Sequence, residues 1–216
     1  MIIRKIKLEN FRNYENEEID VSPSINVFYG NNAQGKTNIL EAIYYAALGR
    51  SFRTFKDTEL IKFDTDNAKV DIFYEKNNRD NNIEITFHKT EKKVVKLNSV
   101  KLNKNSELLG NLNIVLFSPD DIIILKQAPA LRRRFLDILI SQLKPSYVHV
   151  LSEYNKVLDQ RNALLKSKRI ETIDIWDEQI ANLTEKICYY RKLYIKKLRR
   201  KIKYNSSKCY KSKRNN

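Results

Sequence analysis

The sequence predicts a mixed α/β lobe followed by an all-helical lobe, and three observations carry that expectation. Short apolar segments with strand-like patterning recur up to residue 117. A strand–loop–helix unit surrounds GNNAQGKT at 30–37. From Ser118 onward the apolar residues recur every three or four positions, the spacing of one helical face.

IIRKIKL at 2–8 alternates apolar and polar, as a half-buried strand does. EEIDV at 17–21 and INVFY at 25–29 are expected to form a hairpin through the turn Ser22-Pro23-Ser24, its second strand feeding the loop. NILEAIYYAALG follows as a helix, with Ile39, Ile43, Tyr44, Ala47 and Leu48 on its apolar face and Gly49 as its C-terminal cap. VDIFYE and IEITFH flank the polar NNRDNN, which predicts a hairpin with a loose loop. KVVKLNSVKL predicts two short strands around Asn98-Ser99. NIVLF at 113–117 is wholly apolar, the pattern of a strand covered on both faces.

Ser118-Pro119-Asp120-Asp121 is a helix start: a capping hydroxyl, proline at the first position and acids in the first turn. Leu131, Phe135, Leu139 and Leu143 then fall four apart. After Pro145 the stripe continues through Tyr147, Leu151, Tyr154, Leu158 and Leu165. Ile173, Trp176, Ile180, Leu183, Ile187, Tyr190 and Tyr194 alternate spacings of three and four, a heptad seam. Two helices, about 145–167 and 172–200, are expected to pair antiparallel as a coiled-coil stub; an ordinary helical-bundle face accounts for the same spacing.

At 216 residues the chain has room for one medium domain or two small ones. It holds no run of about 18 apolar residues, so no membrane span is expected. The opening MIIRKIKLENFRN has no apolar signal core, and the two cysteines, Cys188 and Cys209, lack a CxxC partner. A reduced, cytoplasmic chain is the expectation. His88 and His149 are isolated, so no zinc site is expected. The formal net charge of +15 is concentrated at one end: residues 1–185 hold 28 bases against 26 acids, and the remainder holds 13 bases and no acid. A basic arm of this kind neutralises phosphates in a salt-dependent way, or is a peptide with no role; both readings fit.

GNNAQGKT matches G-x-x-x-x-G-K-[ST] without a mismatch, and its context is the strand–loop–helix that phosphate binding requires. Gly30 and Gly35 let the loop wrap, so that the N–H groups of Asn31, Asn32, Ala33, Gln34 and their neighbours face phosphate oxygens. Lys36 is positioned for the terminal phosphates of ATP and Thr37 for Mg²⁺, and the following helix directs its positive end at the same anion. Asp120 and Asp121 are the sole candidates for a magnesium carboxylate, but serine and proline separate them from the apolar strand, and they read as helix-start residues. No catalytic residue is assigned.

Four stretches together carry a resemblance: IKLENFRNY at 6–14, GNNAQGKTNILEAIYYAALGRSFRT at 30–54, FSPDDIIILKQAPALRRRFLD at 117–137 and YNKVLDQRNALLK at 154–166. They resemble the RecF family, within the wider group of Rad50- and SMC-like ATPases, over roughly residues 1–198. The resemblance implies an ABC/SMC-like P-loop lobe with a mixed sheet (1–117) and a helical lobe (118–203); the composition beyond is that of a disordered basic tail (204–216). It implies ATP binding, action on single-stranded or gapped DNA in replication, recombinational repair and the SOS response to DNA damage, a RecR-type partner and an ATP-dependent homodimer. Arg12 stands where relatives place an arginine on the nucleotide; a strand-end surface arginine is the alternative. Arg132, Arg133 and Arg134 are read as DNA-phosphate contacts or as partners of Asp137 or of the other lobe. Relatives usually have glycine where Gln127 stands, which puts the build of that turn in doubt.

A complete relative also carries a Ser-Gly-rich signature helix and an apolar strand ending in Asp-Glu. The glycines here are Gly30, Gly35, Gly49 and Gly110, and no apolar run ends in adjacent acids after Asp121. ATP hydrolysis by this chain alone is therefore not expected. A small P-loop phosphotransferase and a non-enzymatic basic DNA-binding protein are the rival readings. The composition of RRKIKYNSSKCYKSKRNN is that of a shifted reading frame, and an interruption near residue 200 is expected. Sequencing the gene from about the codon of Tyr190 onward and translating all three frames tests this: another frame encoding Ser-Gly-Gly and an apolar strand ending in Asp-Glu is the expected outcome, and its absence makes the basic arm genuine.

Overall fold

A computed structural model describes residues 1–122, 129–167 and 172–212. The chain divides into two compact units, 1–117 and 118–216.

The first unit is built on six strands: β1 (Ile2–Phe11), β2 (Tyr14–Asp20), β3 (Asn67–Lys76), β4 (Arg79–His88), β5 (Val94–Leu97) and β6 (Val100–Lys101). Their order is β2-β1-β3-β4-β5-β6, every ladder is antiparallel, and helix α1 (Lys36–Leu48) is inserted between β2 and β3. Period-two alternation sends Ile6 and Leu8, then Val70, Ile72 and Tyr74, then Ile83, Ile85 and Phe87 into one buried cluster with Ile39, Ala42, Tyr45 and Ala46 of α1. Each such side chain contributes roughly 1.5–3 kcal/mol when fully buried. The buried face of α1 is thus rotated from the expected one, because the sheet selects Ala42, Tyr45 and Ala46 and leaves Ile43 and Tyr44 partly exposed. Gly49 does cap the helix in the left-handed region (φ 68°), its N–H donating to Tyr45 O at 2.7 Å. On the opposite face of the sheet, Lys69 and Lys96 bracket Glu84 at 2.8 Å each.

The hairpin predicted with a loose loop turns tightly at Asn77-Asn78, with Lys76 opposite Arg79. Both asparagines have positive φ (53° and 59°), as do Asn98 and Ser99 (49° and 68°) at the β5–β6 turn. Two such residues in a row match the twist of the flanking strands, and asparagine tolerates this conformation better than most residues.

Two predicted strands are not in the sheet. β2 pairs with β1, from Lys5–Asp20 to Phe11–Tyr14, and not with 25–29. Residues 22–26 instead close on themselves, Ser22 N donating to Asn26 Oδ1 (2.8 Å) and Asn26 Nδ2 to Ser22 O (2.9 Å). Phe28 and Ile114 pack against the core, while Ile25 (81% exposed), Val27 (75%), Tyr29 (91%), Val115 (87%) and Phe117 (77%) face solvent. Segments 25–29 and 113–117 therefore keep strand patterning without a ladder.

In the second unit Ser118 N and Oγ both donate to Asp121 Oδ2 (2.6 and 3.0 Å), closing a 3₁₀ turn over Pro119–Ile122. Asp121 is thus a structural cap; Gln127 and its turn lie outside the described residues. Helices α2 (Pro129–Leu143), α3 (Pro145–Lys166) and α4 (Ile173–Ser212) follow. Their core is Ile140, Tyr147, Ile187 and Tyr194, and all seven residues of the α4 seam are buried or partly buried. On α2 the buried apolar position is Ile140, with Leu136 beside it, whereas Phe135 and Leu143 of the expected stripe are about half exposed. The reason is Asp137, which this same face presents to α4: Arg191 Nε and Nη2 donate to its carboxylate at 2.9 and 2.8 Å, and Tyr147 OH donates at 2.5 Å. Burial and Asp137 together push the Tyr147 phenol well above its ordinary range. α4 runs past the expected end near 200 to Ser212, because nothing from Lys196 onward is proline or glycine. Among the described residues no helix is long and apolar enough to cross a membrane.

Asp71 supplies a test of this packing. Its side chain is nearly buried on β3 and accepts from Asn82 Nδ2 at 3.2 Å, and burial raises its pKa. The folded carboxyl therefore holds its proton to higher pH than the unfolded one. The associated stability is fully present below the unfolded carboxylate range and lost as pH rises through the folded value. Asp71→Asn is expected to raise Tm near neutral pH by about 2 °C and to leave it unchanged near pH 3, as read by thermal melts across that range.

Candidate phosphate-binding site

The loop between Tyr29 and α1 turns through three residues of positive φ, Gly30 (141°), Ala33 (65°) and Gly35 (95°). Gly35 is buried: a Cβ there would lie 2.7 Å from Asn13 Oδ1 and 2.8 Å from both Asn13 Nδ2 and the Tyr14 hydroxyl. The turn between β1 and β2 is thus pressed against the loop where only glycine fits. Asn38 N and Ile39 N donate back to Gly35 O at 2.7 and 3.3 Å, which starts the helix.

Among the described residues, no backbone N–H from Asn31 to Thr37 meets a protein acceptor. A row of donors is thereby left at the N-terminus of a 13-residue helix with no acid in its first turn. The Lys36 ammonium folds across the mouth of the loop, donating to Gly30 O (2.9 Å) and Asn31 O (2.5 Å). Thr37 follows, exposed. The structure thus brings all the motif residues, Gly30 to Thr37, into one loop at the start of α1.

Arg12 has a different setting from a surface arginine. It sits at φ 56° in the β1–β2 turn, its N–H donating to Leu60 O at 2.8 Å. Its guanidinium grips Glu41 of α1 through Nε and Nη2 (2.9 and 2.8 Å) and donates through Nη1 to Glu59 O (2.7 Å). Such a fork is among the stronger hydrogen-bonded pairs, and it holds a bulky residue in a sparsely populated conformation. Glu41 itself is fully buried and also accepts from Ser51 Oγ (2.5 Å) and from Arg53 Nη1 (3.4 Å). Arg53 Nη1 further donates to Asn38 Oδ1 (2.8 Å), and Asn38 Nδ2 to Asn13 Oδ1 (2.8 Å). The sequence reading missed Glu41, Asn38, Arg53 and Asn13. The signal available was a lone acid between Ile39 and Ala42, next to the apolar face of the helix. Arg132, Arg133 and Arg134 lie in the other unit at the start of α2, and Asp137 is held by Arg191 and Tyr147.

An α/β lobe carrying such a loop, followed by a helical unit, is the fold of the RecF/SMC-like ATPases. An AAA-domain family model matches residues 5–215. The chain belongs to the RecF family of AAA-domain proteins. It is 49% identical over 201 residues to the DNA replication and repair protein RecF of Clostridium tetani, covering 92% of this chain and 55% of that protein. Against RecF of Clostridium acetobutylicum it is 46% identical over 216 residues, 99% of this chain and 60% of that one. Among solved structures it is similar to the recombination mediator protein RecF of the RecFOR pathway, as RecF-ATPrS, with TM-score 0.86 and 38% identity over 91% of this chain and 54% of that chain. An SMC head bound to the winged-helix domain of ScpA shares the fold alone, at TM-score 0.53 and 21% identity over 76% of this chain and 60% of that chain. The chain spans a little over half the length of the curated relatives it matches.

Gly35→Ala is expected to cost about 1–3 kcal/mol through left-handed strain and contact with Asn13 and Tyr14. Gly30→Ala, where a Cβ meets nothing within 4 Å, is expected to cost less. Paired denaturant titrations compare them, and equal losses count against the close approach at Gly35.

Proposed function

We propose that this chain binds ATP with Mg²⁺ through residues 30–37 and serves DNA replication and recombinational repair as RecF proteins do. The row of unpartnered N–H groups from Asn31 to Thr37, with the Lys36 ammonium across it, is the observation that carries the reading. A phosphate chain would replace the Gly30 and Asn31 carbonyls as the acceptor for Lys36, and Thr37 would hold Mg²⁺ beside it. Relatives solved as RecF-ATP and RecF-ATPrS at 38% identity support ATP as the nucleotide. Arg12, held within the same polar cluster, is placed to answer the nucleotide from the β1–β2 turn.

The DNA partner is single-stranded or gapped duplex, the protein partner is RecR-type, and the nucleotide drives pairing of two copies in response to DNA damage, in the cytoplasm. This chain alone is proposed to turn ATP over slowly or not at all.

A fluorescent ATP analogue titrated with Mg²⁺ present tests the reading. Lys36→Ala is expected to weaken binding at least ~10-fold, about 1.4 kcal/mol; Thr37→Ala is expected to abolish the Mg²⁺ dependence. Unchanged affinity in Lys36→Ala sinks the reading. For DNA, deletion of 199–216 is expected to flatten the salt dependence of binding to gapped duplex without removing it.

A further inference from the structure

The polar side chains around the phosphate loop form a closed ring. Glu41 takes the fork of Arg12; Arg12 is covalently followed by Asn13; Asn13 Oδ1 accepts from Asn38 Nδ2; Asn38 Oδ1 accepts from Arg53 Nη1; and Arg53 Nη1 returns to Glu41. The ring ties three separate segments, the β1–β2 turn, α1 and residues 51–53, around one point. That point is Gly35, against which Asn13 is packed. Glu41 is the sole acid in the ring and its one fully buried carboxylate, and it faces two guanidinium groups. With two arginines against one carboxylate the ring keeps a net positive charge beside the loop.

Resting on the ATP reading above, we infer that Glu41 and Asn38 are positioning residues for the nucleotide: they set the phosphate loop and both arginines without touching the ligand. Three features support this. A charge buried without its partner is unfavourable, so Glu41 fixes where Arg12 points and does not merely fill space. Arg12 remains at φ 56° because Leu60 O, Glu59 O and Glu41 over-determine it, which is how strained residues persist at working sites. Asn38 lies in the first turn of α1, one residue beyond Thr37, and uses both ends of its amide within the ring. Glu41 is fully buried with both carboxylate oxygens taken by Arg12, Ser51 and Arg53.

The test is MgATP affinity of the full chain, read with thermal melts on the same samples. Glu41→Gln keeps the shape and removes the charge; Asn38→Ala and Asn13→Ala open the ring at its more exposed side. Each is expected to bind MgATP about ten-fold more weakly, the order of one hydrogen bond. Asn38→Ala and Asn13→Ala are expected to keep the wild-type Tm. The Asn13→Ala, Asn38→Ala double variant is expected to be no weaker than either single one, because both break the same link. Should Glu41→Gln unfold, the two asparagine variants decide. Wild-type affinity in them, or losses that add, overturns the inference while leaving the ATP reading intact. Failure of the wild type to bind MgATP, with Lys36→Ala indistinguishable from it, overturns both.

Discussion

The carboxylate of Glu41 sits fully buried one turn past Lys36, and three donors from distant parts of the chain converge on it: Arg12, Ser51 and Arg53. Burying a carboxylate is costly unless its lone pairs are filled, so every segment that fills them is constrained in return. The β1–β2 turn must adopt its left-handed bend, residues 51–54 must fold back over α1, and α1 must begin where it does. Ser51 shows how tightly this is bound: its hydroxyl donates to Glu41 while accepting from the N–H groups of Arg53 and Thr54. The phosphate loop is therefore shaped by a scaffold of charge on one side and by the apolar sheet–helix core on the other.

Much of this is legible in the residues, for identifiable reasons. The loop is readable because its chemistry demands glycine at two fixed positions and a basic and a hydroxyl side chain next to each other. The strands β1, β3 and β4 are readable because one face meets α1 and the other meets water, so the code has period two. The seam of α4 is readable because seven apolar positions, spaced alternately by three and four, line up on one side of a helix and on no side of a strand. In contrast, INVFY and NIVLF carry a strand pattern, but a ladder needs a second backbone and a sequence pattern does not say whether one is present. The same limit applies to α2. Phe135 and Leu143 look as apolar as Leu136 and Ile140, and the choice is made by Asp137 finding Arg191 more than fifty positions away. Glu41 is hidden by the same logic, since a polar contact closed through three segments leaves no local signature.

The two units differ in how they are held. The first has a continuous apolar core with polar chemistry at its rim. The second has a small core, Ile140, Tyr147, Ile187 and Tyr194, and at its edge a knot of Asp137, Arg191 and Tyr147 that joins all three helices. With so few buried side chains, geometry in the helical unit depends on that knot. Arg191 and Tyr147 both donate to Asp137, so loss of Asp137 leaves two partly buried polar groups without that partner.

The far end of α4 has a further property. From Lys192 to Lys203 the helix places bases four apart, Lys192 with Lys196, Lys196 with Arg200, Lys197 with Lys201 and Arg199 with Lys203, with no acid among them. Like charges at that spacing oppose a helix by a few tenths of a kcal/mol per pair and are relieved by counterions. The last turns thus carry a run of positive charge whose mutual repulsion falls as salt or a polyanion supplies counter-charge.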